Sequence, residues 1–197
     1  MRCNEKTRLV GDRIDLVPYC KRHVVQYHEW MKDPWIREMT CSEPLTLEEE
    51  YENQVSWHLD EHKMTFIVLD KNLDDGCPPV GDVNLFLVEE GDEDTVVAEV
   101  EVMIAEPRSR RRGLATEAVK LMVAYGVKHL GCNSYVAKIV ETNEGSINMF
   151  NKLGFKQLRR LEVFKEVHLI LRLSAEEAES YRAEIDGREV DYQRDDL

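Results

Sequence analysis

The sequence predicts a mixed α/β domain with elements in the order β-αα-βββ-α-β-α-ββ, and three features carry that prediction. Val96 to Ala105 alternates as a half-buried strand does. Leu114 to Leu130 carries an apolar stripe of helical period, entered after Gly113 and stopped by Gly131. The other β-rich runs are separated by clusters of Gly, Pro and Asp.

In chain order, Arg13 to Tyr19 is the first predicted strand. Lys21 to Met31 puts Val24, Tyr27 and Met31 on one helical face, and Asp33-Pro34 closes that helix. Thr46 stands before Leu47-Glu48-Glu49-Glu50, with acids where a helix N-terminus favours them, and predicts a second helix to about His58. Met64 to Asp70 and Val80 to Glu89 flank the turn cluster Asp74-Asp75-Gly76-Cys77-Pro78-Pro79 as a hairpin, and Gly91 to Asp94 supplies the next turn. Within Val96 to Ala105, Val97, Glu99, Glu101 and Met103 share one face, while Ala98, Val100, Val102 and Ile104 form a purely apolar one. The long helix stacks Ala118, Leu121, Met122 and Tyr125 on one stripe. Tyr135 to Val140 is a strand, Gly145 to Leu153 a short helix ending at Gly154, and Phe155 to Leu173 two strands broken near Glu162.

A length of 197 residues suits one domain. Against 39 Asp and Glu there are only 26 Lys and Arg, a net charge of −13, which excludes a general nucleic-acid binder and suits a basic partner. Apolar runs such as Leu121 to Val127 fall far short of a bilayer span, so no membrane partner is expected. Met1 to Lys6 has no signal-peptide character, which sets the expectation of a cytoplasmic protein with the nucleus also open to it. The five cysteines are widely spaced without a C-x-x-C pair and are expected as free thiols, with no metal. From Ser174 onward nine acids face three arginines, and the expectation is a solvated, partly helical or disordered tail.

Arg108-Ser109-Arg110-Arg111-Arg112-Gly113-Leu114-Ala115-Thr116 is the most informative stretch. It joins a strand to a helix, where unpaired amides and the helix dipole together hold a phosphate. A bare K/R-rich pentamer would equally be a surface basic patch or an import signal, but the strand, glycine and helix around it favour the phosphate loop. Both G-x-x-x-x-G-K-[ST] and G-x-G-x-x-G are absent, which disfavours nucleotidase and dinucleotide-binding loops.

What is present, Arg110-x-x-Gly113-x-Ala115, resembles motif A of the GNAT superfamily of acetyl-CoA-dependent N-acetyltransferases. Asn143-Glu144-Gly145-Ser146 followed by Phe150-Asn151-Lys152-Leu153-Gly154-Phe155 is similar to the family's second motif. The likeness spans about Leu9 to Leu173, leaving residues 1–8 as an extension and 174–197 as the acidic tail. Val17-Pro18-Tyr19, His23 and Tyr27-His28-Glu29-Trp30-Met31 resemble the branch with ribosomal-protein alanine acetyltransferases. Ser42-Glu43-Pro44-Leu45-Thr46-Leu47, Val80 to Leu87 and Glu99 to Pro107 resemble its eukaryotic N-acetyltransferase-nine group.

The resemblance implies a central mixed sheet splayed between its fourth and fifth strands, with helices on both faces. It implies acetyl-CoA as co-substrate, its pyrophosphate on the amides from Arg111 through Gly113, Leu114 and Ala115 to Thr116, and its charge met by Arg110, Arg111 and Arg112. The pantetheine arm would run along Met103 and Ile104. Asn143 would bind that arm, and Ser146 and Phe150 would flank its sulfur end.

Glu99 and Glu101 are the candidate general bases, because mutual repulsion and partial burial would each raise a carboxyl pKa towards neutrality. A half-exposed strand with solvated glutamates has the same pattern. Phe150 stands where many relatives carry a tyrosine acid. His23, His28, His58 and His62, like Trp30, Trp35 and Trp57, read first as packing or surface residues. Two functions remain at this stage. One is acetyl transfer to a primary amine, most directly a protein N-terminus or other peptide amine, through a ternary complex. The other is a low-turnover acetyl-CoA-binding module holding a basic or cationic protein.

Overall fold

A computed structural model describes residues 2–73, 76–88 and 95–194. The turns expected at Asp74-Asp75 and Gly91 to Asp94 lie outside the described residues, as do Glu89, Asp195 and Asp196. Nine strands form one sheet: β1 Thr7–Val10, β2 Ile14–Pro18, β3 Lys63–Asp70, β4 Pro79–Val88, β5 Val97–Ile104, β6 Ser134–Val140, β7 Lys156–Leu161, β8 Glu166–Arg172 and β9 Glu189–Asp191. Their order is β7-β8-β6-β5-β4-β3-β2-β1-β9. The helices are α1 Val24–Met31, α2 Pro34–Thr40, α3 Leu47–Leu59, α4 Leu114–Leu130, α5 Glu144–Lys152 and α6 Ala175–Ile185.

The alternation in β5 divides the core as its sequence requires. Ala98 and Val100 join the cluster under α4, with Ala118, Leu121, Met122 and Tyr125. Met103 belongs to a second cluster on the opposite face, with Tyr19, Tyr27, Trp30 and Ile36. Each fully buried aliphatic side chain of this kind contributes roughly 1.5–3 kcal/mol. Thr46 and Glu49 close a capping box at the start of α3.

Several expectations need correction. The first predicted strand is β2; β1 precedes it and pairs with it antiparallel. Pro34 does close α1, but it also begins α2: Asp33 caps Trp35 N–H at 2.9 Å, and proline is favoured in a first helical turn. The tail is partly helical, as expected, but as far as residue 194 it is docked on the domain rather than free of it. Ser174 and Glu177 form a capping box, Ile185 is fully buried, and Ala178 and Tyr181 pack against the main core. β9 pairs antiparallel with β1, and Lys128 on α4 reaches Asp186 at 2.7 Å and Glu189 at 2.8 Å. Composition hid this because one apolar stripe at 178, 181 and 185, spaced three and four apart, suffices to dock a helix. Residues 2–8 of the extension are built into the domain. Asn4 is buried and donates to Thr65 O at 2.9 Å, and Thr7 and Arg8 belong to β1.

Candidate active site

The sheet comes apart between β5 and β6. These parallel strands pair only from Val97 with Ser134 to Glu99 with Val136, and beyond that no pairing joins them. The counterpart of the predicted fourth and fifth strands thus splays, one strand later in numbering because of β1. Ala105 N–H points to Val80 O on β4 at 2.8 Å. By strand alternation the peptide groups of Ile104, Val102 and Val100 point the other way; Val100 N–H meets β6 at the last rung, opposite Val136, and Val102 and Ile104 face the gap. Gly81 on β4 leaves no room for a Cβ against the Met103 carbonyl, so the two strands press together beside the gap.

The gap opens into a cleft of about 320 Å³. Its β5 wall carries Glu99, Glu101, Val102 and Met103; β6 and α5 add Lys138, Asn143, Ser146 and Phe150; Tyr27, Trp57, Lys63, Asp82, Glu166 and residues Met39 to Ser42 also line it. The two predicted glutamates differ. Glu99 is paired with Lys138 Nζ at 2.6 Å. Glu101 is exposed to the open cleft with the cleft walls around it, and no ion pair or hydrogen bond holds it among the described residues. Desolvation first, then the charge of Glu99, push its carboxyl up to about 7; Asp82 adds to this, while Lys63 and Lys138 oppose it.

Behind Glu101 lies a fixed polar row. Thr65 Oγ1 donates to Asn84 Oδ1 at 2.6 Å, Asn84 Nδ2 to Asp82 Oδ2 at 2.8 Å, and Tyr27 Oη to the same oxygen at 3.2 Å. Burial raises the Asp82 carboxyl and holds the Tyr27 phenol well above its ordinary value. Lys63 Nζ sits 2.9 Å from the Trp57 ring centre and 4.7 Å from that of Phe86, and burial brings it down to about 8.

The basic loop departs most from expectation. Arg110 does not face a ligand: its Nε donates to Ile104 O at 2.8 Å and its Nη2 to Ala105 O at 2.7 Å, with Trp35 stacked 4.7 Å away. Arg112 Nη1 binds the buried Asp70 at 3.1 Å. Only Arg111 of the three stays exposed and uncommitted among the described residues. Arg111 and Gly113 both take left-handed φ, 61° and 80°. These two twists turn the loop into the first turn of α4, whose leading amides lack intrahelical acceptors. The amides from Arg111 to Thr116 lie at this entry to α4, and the side chains of Arg110 and Arg112 are already held by partners within the protein. Met103 lines the cleft with its side chain, and its peptide faces β4 at the Asp82 register. Asn143 caps α5, its Oδ1 accepting from Ser146 N–H at 3.1 Å.

Residues 13–156 match the Acetyltransferase (GNAT) domain family. The chain belongs to the GNAT acetyltransferases. Among relatives, the mouse alpha/beta-tubulin-N-acetyltransferase 9 is 51% identical over 185 residues, covering 90% of this chain and 76% of its own length. The human alpha/beta-tubulin-N-acetyltransferase 9 is 50% identical over 186 residues, covering 90% and 88%. Among solved structures, spermidine N-acetyltransferase from Vibrio cholerae in complex with CoA and spermine superposes with TM-score 0.72 at 16% identity, covering 85% of this chain and 99% of that one. The chain is thus an N-acetyltransferase enzyme of GNAT type. Lys63, Lys138, Asp82 and the α2 residues of its cleft escaped sequence reasoning; only the Asp33-Pro34 cap signalled α2. His23, His28, His58 and His62 lie outside the cleft lining.

Proposed function

We propose that this enzyme transfers acetyl from acetyl-CoA to the amino terminus of a protein or to another peptide amine, by direct attack within a ternary complex. Acetyl-CoA supplies an activated thioester carbonyl. The chain offers a fitting cradle: left-handed Arg111 and Gly113, the open amides of α4 for the pyrophosphate, and the unpaired β5 peptides along the gap for the amide-bearing arm. The exposed Arg111 adds charge there, and Asn143, Ser146 and Phe150 line the inner end.

The observation that carries the reading is the placement of Glu101 on the cleft wall beside Glu99, where desolvation and then the Glu99 charge push its carboxyl up to about 7. An amine attacks only when neutral, and a base titrating near the working pH accepts its proton without being fully protonated itself. Glu99 is held by Lys138 and serves as the negative neighbour that keeps Glu101 basic. The N–H group of Val102, aimed into the gap, suits the developing oxyanion. Phe150 has no proton to give, and a thiolate leaves without one. The tubulin acetyltransferase names of the relatives support a protein acceptor over a small amine.

Incubation with acetyl-CoA and a library of peptide N-termini, followed by mass spectrometry, tests this. Glu101→Gln should cut kcat/KM by about 10²–10⁴-fold with CoA affinity intact. The wild-type rate should rise with pH through about 7 as Glu101 loses its proton. Full activity in Glu101→Gln would remove Glu101 as the base, whereas CoA binding without turnover by the wild type would favour the low-turnover binding module.

A further inference from the structure

The hairpin of β7 and β8 is unlike the rest of the surface. In a chain of net charge −13, residues 152 to 165 hold five basic side chains, Lys152, Lys156, Arg159, Arg160 and Lys165, against the single acid Glu162. β7 is the edge of the sheet, with all but its last residue exposed, so one row of its peptide groups has no neighbouring strand. At the turn, Val163 is 89% and Phe164 69% exposed, the two most exposed large apolar residues described. Glu166, two residues beyond Phe164, lines the active-site cleft.

Charge on an edge strand alone only keeps it from pairing with another copy. That purpose explains Lys156 and the arginines but leaves Val163 and Phe164 without one, since exposing an aromatic group at a turn gains nothing for folding. Arg160 is answered by Glu141 at 2.6 Å and Arg159 leans on His168 at 3.1 Å. Lys152, Lys156 and Lys165 hold no ion pair among the described residues.

We infer that the β7–β8 hairpin is a docking surface for an acidic, extended segment of the acceptor protein, paired along β7 and anchored by an apolar side chain on Val163 and Phe164. This rests on the proposed function only in taking the bound protein to be the acceptor. Added strands gain affinity from main-chain hydrogen bonds, and the basic row selects acidic side chains. A negatively charged bilayer would also meet lysines and a phenylalanine. Lipid, however, offers no backbone to pair with β7, and a large anionic plane is repelled by the whole chain's charge. A single segment senses only the patch within a Debye length of about 8 Å.

The test uses the full chain and a Glu-rich 15-residue peptide with interspersed valines, N-terminally acetylated so that it cannot be an acceptor. Calorimetry should show binding that weakens with salt. Lys156→Glu with Lys165→Glu should raise Kd at least tenfold, and Phe164→Ser severalfold, at unchanged melting temperature. Fusing the acidic segment behind a good acceptor N-terminus should lower KM with kcat unchanged, and Phe164→Ser should cancel that gain. No binding by the wild type, undiminished binding by both variants, or binding of phosphatidylserine vesicles in place of the peptide would overturn the inference. The binding arm needs no turnover, so an inactive enzyme that binds the peptide would count against the proposed function alone.

Discussion

The basic loop at 108–112 and the acidic segment from Ser174 are the two most conspicuous charged stretches of the chain, and the fold uses them in opposite senses. The loop advertises arginines for a ligand, yet the guanidiniums of Arg110 and Arg112 are already held by the protein, by the carbonyls of Ile104 and Ala105 and by Asp70. The acidic segment advertises solvent, yet it supplies a helix and an edge strand to the domain. Charge in a sequence states what must be neutralised or hydrated, and only the fold says by whom.

Removing the contacts of the acidic segment is expected to have the largest effect. Ile185 is fully buried, so Ile185→Ala should cost about 2–5 kcal/mol, a fall in melting temperature of roughly 10 °C, and truncation after Leu173 more. Thermal melts with unchanged midpoints would return the segment to the solvent. Next comes the loop's inward arginine. Arg112→Ala leaves the buried Asp70 with Ser109 Oγ at 2.7 Å as a remaining donor, and should cost about 1–3 kcal/mol in urea titrations. Arg111→Ala should leave stability unchanged and weaken CoA a fewfold; equal effects of the two would erase the distinction drawn between them.

Gly113→Asp examines the backbone of the same loop. At φ 80° a Cβ would stand 2.9 Å from the Arg13 guanidinium, and a carboxylate would face the amides of α4. CoA affinity should drop about tenfold or more by calorimetry. The smallest effect is electrostatic. Because folding raises the Glu101 carboxyl from an ordinary 4.5 to about 7, its protonated form favours the native state, and this contribution is full below about 4.5 and lost as pH rises through about 7. Glu101→Gln should therefore gain stability relative to wild type between those values and hold a constant advantage above. Parallel melting curves from pH 4 to 8 would show that Glu101 is solvated like any surface carboxylate.

By itself, the sequence determined the pieces whose signals are local. The alternation of Val97 to Ile104 assigned two faces to β5, the stripe and glycines of Leu114 to Leu130 delimited α4, and Gly113 marked the tight entry to that helix. Glu99 and Glu101 were identifiable because two carboxylates on one strand face must repel. What sets them apart is Lys138, which pairs with Glu99 from a strand that reaches it only through the parallel pairing of β5 with β6. Lys63 and Asp82 reach the same cleft through the β3 and β4 registers, set by hydrogen bonds between segments far apart in sequence. The arginines of the loop and the stripe of α6 follow the same rule. Backbone geometry and periodicity are written within a few residues, whereas the partner of a charge and the surface that buries an isoleucine come from distant segments brought together by folding.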